Sequence, residues 1–110
     1  MALTREFRET VQARARSDPK FRAALLTEAL DAYLANDIAT GKAMLRDLVN
    51  ATVGFESLAL EVSKPSKSLH RMLSPGGNPS AENFFEIVSA LQRTTGVRLR
   101  VTAGLARPTP

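Results

Sequence analysis

Apolar residues recur at helical spacing through most of this chain. Phe7 and Val11 share a face of a first helix, which Thr4 is placed to cap. Asp18-Pro19 joins a good N-cap to a good first helical residue. Phe21, Leu25, Leu26, Ala29, Leu30, Tyr33 and Leu34 then mark a second helix running to about Ala35, and Asn36-Asp37 suits the turn after it. A third helix begins near Thr40. It buries Met44, Leu45, Leu48 and Val49 and turns Arg46 and Asp47 to a wetter side. Gly54 suits a helix cap or turn. Phe55, Leu58, Ala59 and Val62 form the apolar side of the next helix, Ser63-Lys64-Pro65 is a turn, and Leu69, Met72 and Leu73 form the buried face of another short helix.

The run from Ser74 to Pro79 contains two prolines and two glycines and cannot stay helical. Ser80 caps a last helix with the stripe Phe84, Ile87, Val88 and Leu91, which ends at Thr94-Thr95-Gly96. Val97-Arg98-Leu99-Arg100-Val101 alternates strictly, which predicts a short strand with one apolar and one basic face. Residues 106–110 read as a frayed tail. The expected organisation is an N-terminal helical segment (1–39), a central unit (40–93) and a C-terminal strand and tail (94–110).

A chain of 110 residues with 44% hydrophobic content can bury a core, and it holds no cysteine for disulfides or thiolate metal sites. The charged N-terminus is unlike a signal peptide, and no apolar run is long enough for a membrane helix. The cytoplasm is the expected location, with no membrane partner. Charge is unevenly placed. Residues 1–62 carry 8 basic and 9 acidic side chains, whereas residues 63–110 carry 7 basic and only 2 acidic ones. Such a balance favours a polyanion as partner.

The positive half begins at two short helices joined by a tight turn, the pattern of a helix-turn-helix. In that motif the first helix braces a second one lying in the DNA major groove. Ala59 is the small residue that allows close approach, and Leu69, Met72 and Leu73 anchor the second helix. Ser66, Lys67, Ser68, His70 and Arg71 are then expected to face outward. Ser66 and Lys67 lie where such helices touch base edges, and Arg71 follows Lys67 at i+4, able to grip guanine through two hydrogen bonds. Ser68, His70 and Asn78 are expected to face phosphate.

The segments GKAMLRDLVNATVGFESLALEVSK, SLHRMLSPGGNPS and NFFEIVSAL carry a resemblance. Across about residues 20–92 the chain resembles the Xre-type (Cro/C1-like) helix-turn-helix regulators, and among them the addiction-module antidotes, HigA-like antitoxins. The resemblance implies an all-α fold, a compact bundle of about five helices that binds double-stranded operator DNA as a homodimer. It places base contacts at Ser66, Lys67 and Arg71. It also implies repression of the protein's own operon and neutralisation of a small RelE-like toxin. The chain departs from the family at the turn, where Gly, an apolar residue and Ser or Thr are usual. Ser63 must there adopt a left-handed conformation or reshape the turn, and Pro65 suits a first helical residue.

The remaining candidates read as structural. His70 has no metal-ligand or nucleophile pattern around it, and Gly76-Gly77 lacks the Lys-Ser/Thr of a phosphate loop. No catalytic pair, cofactor site or metal cluster stands out, so an enzyme is not expected. Tyr33 and Phe84 read as core, and Phe85 as the aromatic that faces a partner. The strand has four readings: pairing with its copy, addition to a toxin's sheet, a place on its own subunit's helices, or a disordered end. The alternative to a DNA-binding repressor is a toxin-binding interaction module with weak or lost DNA binding.

Overall fold

The computed structural model describes residues 5–106. Six helices follow one another: α1 (Arg5–Ser17), α2 (Pro19–Leu34), α3 (Ile38–Ala51), α4 (Gly54–Val62), α5 (Ser66–Met72) and α6 (Ala81–Thr95). The resemblance implies about five helices; the described residues form six. The cap expected at Thr4 lies outside them.

Local chemistry sets most boundaries. The Asp18 carboxylate accepts from the amides of Lys20 and Phe21, and the Ser80 hydroxyl accepts from Asn83, both as expected of N-caps. Asp37, read as part of a turn, also caps: its carboxylate accepts from the Thr40 amide, so α3 begins at Ile38 rather than near Thr40. The left-handed residue there is Asn36, which tolerates φ 63° better than most side chains. Gly54, at φ 78°, opens α4.

One core runs through the bundle. Leu26 and Ala29 of α2 meet Leu45, Leu48 and Val49 of α3, then Phe55 and Leu58, Leu69 and Leu73, and Phe84, Ile87, Val88, Ala90 and Leu91 of α6. Tyr33 packs its ring on Phe84 with centroids 4.5 Å apart. Phe7, by contrast, is mostly exposed. Arg22 ties distant ends together: its guanidinium donates to the carbonyls of Ala15 and Arg16 at the end of α1 and of Thr95 at the end of α6.

The strand expected over 97–101 does not form, and the described residues contain no strand. Val97 and Leu99 turn inward onto the core, but Val101, the third apolar position of the alternation, is fully exposed. A strand also needs a backbone partner, and no described segment offers one. The two amides take helix-end acceptors instead: Val97 donates to the Gln92 carbonyl and Leu99 to the Gln92 side chain at 2.9 Å.

The loop between α5 and α6 is drawn tightly onto α5. A Cβ at Gly77 would lie 2.0 Å from the Arg71 carbonyl oxygen and 2.7 Å from that of Met72. Backbone cannot give way as a side chain does, so Gly77→Ala should cost at least the roughly 1–3 kcal/mol of ordinary overpacking. Gly76, with open space around its Cβ position, is the control. Urea unfolding of both variants checks this: a large loss for Gly77→Ala with little change for Gly76→Ala is expected.

Candidate functional site

The stretch singled out in the sequence folds as α4, a three-residue turn and α5, with the two helices in contact. Ser63 takes the left-handed conformation (φ 54°, ψ 45°) rather than reshaping the turn. This lets the Lys64 amide donate to the Ala59 carbonyl and close α4. Pro65 does not start α5 as its first helical residue. It stands one place earlier, extended at the N-cap, where its carbonyl accepts from Ser68 and Leu69. Lys64 reaches away from the turn to Glu86 of α6 at 2.9 Å.

Leu69 and Leu73 are wholly buried and Met72 half-buried, so α5 is anchored as its spacing predicts. Lys67, His70 and Arg71 are exposed. Neither the Lys67 ammonium nor the Arg71 guanidinium has an ion-pair or hydrogen-bond partner among the described residues. Ser66 and Ser68 are only half-exposed. Ser66 donates its hydroxyl to a Glu56 carboxylate oxygen at 3.1 Å, linking the heads of α4 and α5. His70 lies flat on Phe55, with centroids 3.9 Å apart and 22° between the rings, and so shields an otherwise buried aromatic. Asn78 is exposed in the loop before α6. The exposed side of α5 thus presents Lys67, His70 and Arg71, with one carboxylate, Glu56, at its head.

Two cations of α3 hold the far end of α5. Lys42 is 6% exposed, and its ammonium donates to the carbonyls of Ser74 (3.2 Å), Pro75 (3.4 Å) and Gly77. Arg46, one turn on, donates to the Leu73 carbonyl. A helix end leaves carbonyls unpaired and carries partial negative charge, so cations there satisfy both needs. Arg46, assigned to the wetter side of α3, is therefore half-buried and engaged. Lys42 escaped the sequence reading, yet one signal was there: it stands three residues before buried Leu45, on the apolar side of α3.

The same region perturbs two other groups. Burial pushes the Asp47 carboxyl above its ordinary range, opposed by the charges of Arg8 and Arg46. Burial likewise raises the Tyr33 phenol, against the pull of Arg46, and the buried Tyr33 hydroxyl has no hydrogen-bond partner among the described residues. No helix among the described residues is long and apolar enough to cross a membrane. Comparison with protein-family models, with curated proteins and with solved structures finds no match for this chain.

Two predictions concern how α5 is held. Lys42→Met leaves three carbonyls without their donor and should destabilise the fold by about 2–4 kcal/mol, since charge-assisted bonds and orphaned acceptors are each costly. Lys67→Ala should change stability little, because that side chain is exposed and its ammonium has no hydrogen-bond or ion-pair partner among the described residues. Denaturant midpoints of the two variants test the contrast. Ser63→Gly removes the strain of a left-handed Ser but adds backbone entropy to the unfolded chain. A net gain of about 0.5–1 kcal/mol is expected, and a melting temperature below that of the parent would contradict it.

Proposed function

We propose that this protein is a sequence-specific DNA-binding transcriptional regulator that represses its own gene in the manner of an antitoxin. In this reading α4 and α5 are a helix-turn-helix, and α5 enters the major groove of a double-stranded operator. The observation that carries it is the pair of unpartnered cations, Lys67 and Arg71, one turn apart on the exposed side of a helix whose other side is fixed in the core. A free guanidinium is suited to a bidentate hold on guanine, worth about 1–3 kcal/mol of discrimination. Lys67 reaches a base edge or phosphate, and Ser66 sits beside it. Ser68, His70 and Asn78 serve the phosphate backbone. The Lys42 and Arg46 contacts fix the depth and tilt at which α5 is offered, so base contacts do not depend on a mobile helix. A homodimer reading two half-sites about one helical turn apart completes the proposal.

A second reading draws on Glu56. A carboxylate at the head of α5 repels phosphate, which favours an interaction module that binds a small RelE-like toxin and has reduced affinity for DNA. Co-purification with the product of an adjacent gene is its test.

The two readings separate in fluorescence anisotropy on the gene's own upstream duplex and a scrambled one, over a salt series. The first predicts preference for the upstream duplex, a steep fall of affinity with salt, and loss of preference in Lys67→Ala/Arg71→Ala. Glu56→Gln should strengthen binding to both duplexes, because it removes a repulsion that carries no sequence information. Equal binding of the two duplexes by the parent protein would overturn the first reading.

A further inference from the structure

On the side of α6 away from the core, Glu61, Val62 and Ser63 of the α4 end and Glu82, Phe85, Glu86, Ser89 and Arg93 of α6 line an open groove. Phe85 is 60% exposed at its wall, and beyond Ser63 stands Leu60, 83% exposed. Three carboxylates face this groove. Lys64 holds Glu86 at 2.9 Å and Arg93 approaches Glu61 at 3.7 Å, but Glu82 has no ion-pair partner among the described residues. The groove thus combines the exposed Phe85 ring with the unpaired Glu82 carboxylate.

The segment after α6 has the opposite character. It leaves the body at Leu99, whose amide is tied to Gln92, next to the Arg93 end of the groove. From there to residue 106 it runs without regular structure, and Val101 and Leu105 are fully exposed. Arg98 and Arg100 are exposed and unpaired among the described residues, and the sequence holds no acidic residue after Glu86. The arm thus offers two aliphatic side chains and two guanidinium groups and finds no carboxylate of its own to meet. It does not lie on its own groove, since both aliphatic residues remain fully in water.

We propose that the groove of Glu61, Glu82 and Phe85 receives the C-terminal arm, residues 98–105, of a second copy of this chain, and that two chains exchange arms reciprocally. Phe85 meets Val101 and Leu105, and Glu82, the groove carboxylate without an ion-pair partner among the described residues, meets Arg98 and Arg100. Beyond the anchor at Leu99, the six residues to Leu105 reach about 20 Å when extended, at roughly 3.3 Å per residue. A two-fold axis makes each contact count twice and closes the assembly at a dimer. This deepens the dimer of the proposed DNA reader by naming its surface, but it does not require that the protein bind DNA.

The test is sedimentation equilibrium of the full chain without DNA, so failure of the DNA reading leaves it unaffected. The parent chain should be a dimer. An arm variant, Val101→Asp/Leu105→Asp, and a groove variant, Phe85→Ser/Glu82→Lys, should each dissociate at least about tenfold more readily. Their helical circular dichroism should be unchanged, because every altered side chain is mainly in water. Mixing the two variants restores one intact arm and one intact groove, and should recover a heterodimer that neither forms alone. Arg98→Glu/Arg100→Glu should weaken the dimer through charge alone. A monomeric parent, or variants that dimerise as the parent does, would overturn the proposal. So would a monomer in which Arg98→Glu/Arg100→Glu lowers DNA affinity, since the arm would then belong to the phosphate backbone.

Discussion

The ammonium of Lys42 is the interaction on which the arrangement of the exposed helix depends. The chain must leave α5 through a segment rich in proline and glycine, which can make few backbone bonds of its own. Three carbonyls of that segment converge on one buried cation, and a fourth, from Leu73, falls to Arg46. Burying a charge is costly unless its donors are all engaged. Here they are engaged by backbone, so the charge is stabilised by carbonyl dipoles rather than balanced by a carboxylate. Gly77 lets the loop approach closely enough for this to happen, since any side chain there would strike the end of α5. Lysine, glycine and the two short helices form one mechanical unit.

That unit divides the polar residues of α3, α4 and α5 by task. Lys42, Arg46 and Lys64 spend their charges inside the protein, on carbonyls or on Glu86. Lys67 and Arg71 find no such partner among the described residues. A basic composition alone does not distinguish these groups, because a cation whose donors are all engaged inside the protein has none left to offer a ligand. The contrast between engaged and free cations, rather than the net charge, gives the exposed side of α5 its meaning. Glu56 tempers that side where it reaches Ser66, which sets an electrostatic limit on how strongly any polyanion is held.

Much of the fold was legible because it is written locally. Asp18 and Ser80 cap the helices they precede, and the stripes of α2, α3 and α6 supply the core, although Leu34 at the end of the α2 stripe is exposed. The inward turn of Leu69 and Leu73 and the outward turn of Lys67, His70 and Arg71 follow from spacing on a single helix. What could not be read rests on partners distant in sequence. Lys42 binds carbonyls 32 to 35 residues away, and carbonyls leave no mark in a sequence. The hydrogen bond from Ser66 to Glu56 joins two helices, so neither helix alone reveals it. The alternation of residues 97–101 reports the inward turn of Val97 and Leu99 but not the exposure of Val101, and alternation says nothing about whether a second strand exists.

Arg22 has a consequence for how the molecule comes into being. Its guanidinium joins the end of α1 to the Thr95 carbonyl, 73 residues later. The last helix also supplies Phe84, Ile87, Val88 and Leu91 to the core. During synthesis the first five helices emerge before that wall exists, leaving Leu26, Leu45, Leu58 and Leu69 without their final cover. The native fold is therefore closed from the C-terminal side. A message or ribosome that stops before α6 yields a chain with its apolar interior open to water, fit for degradation rather than for work.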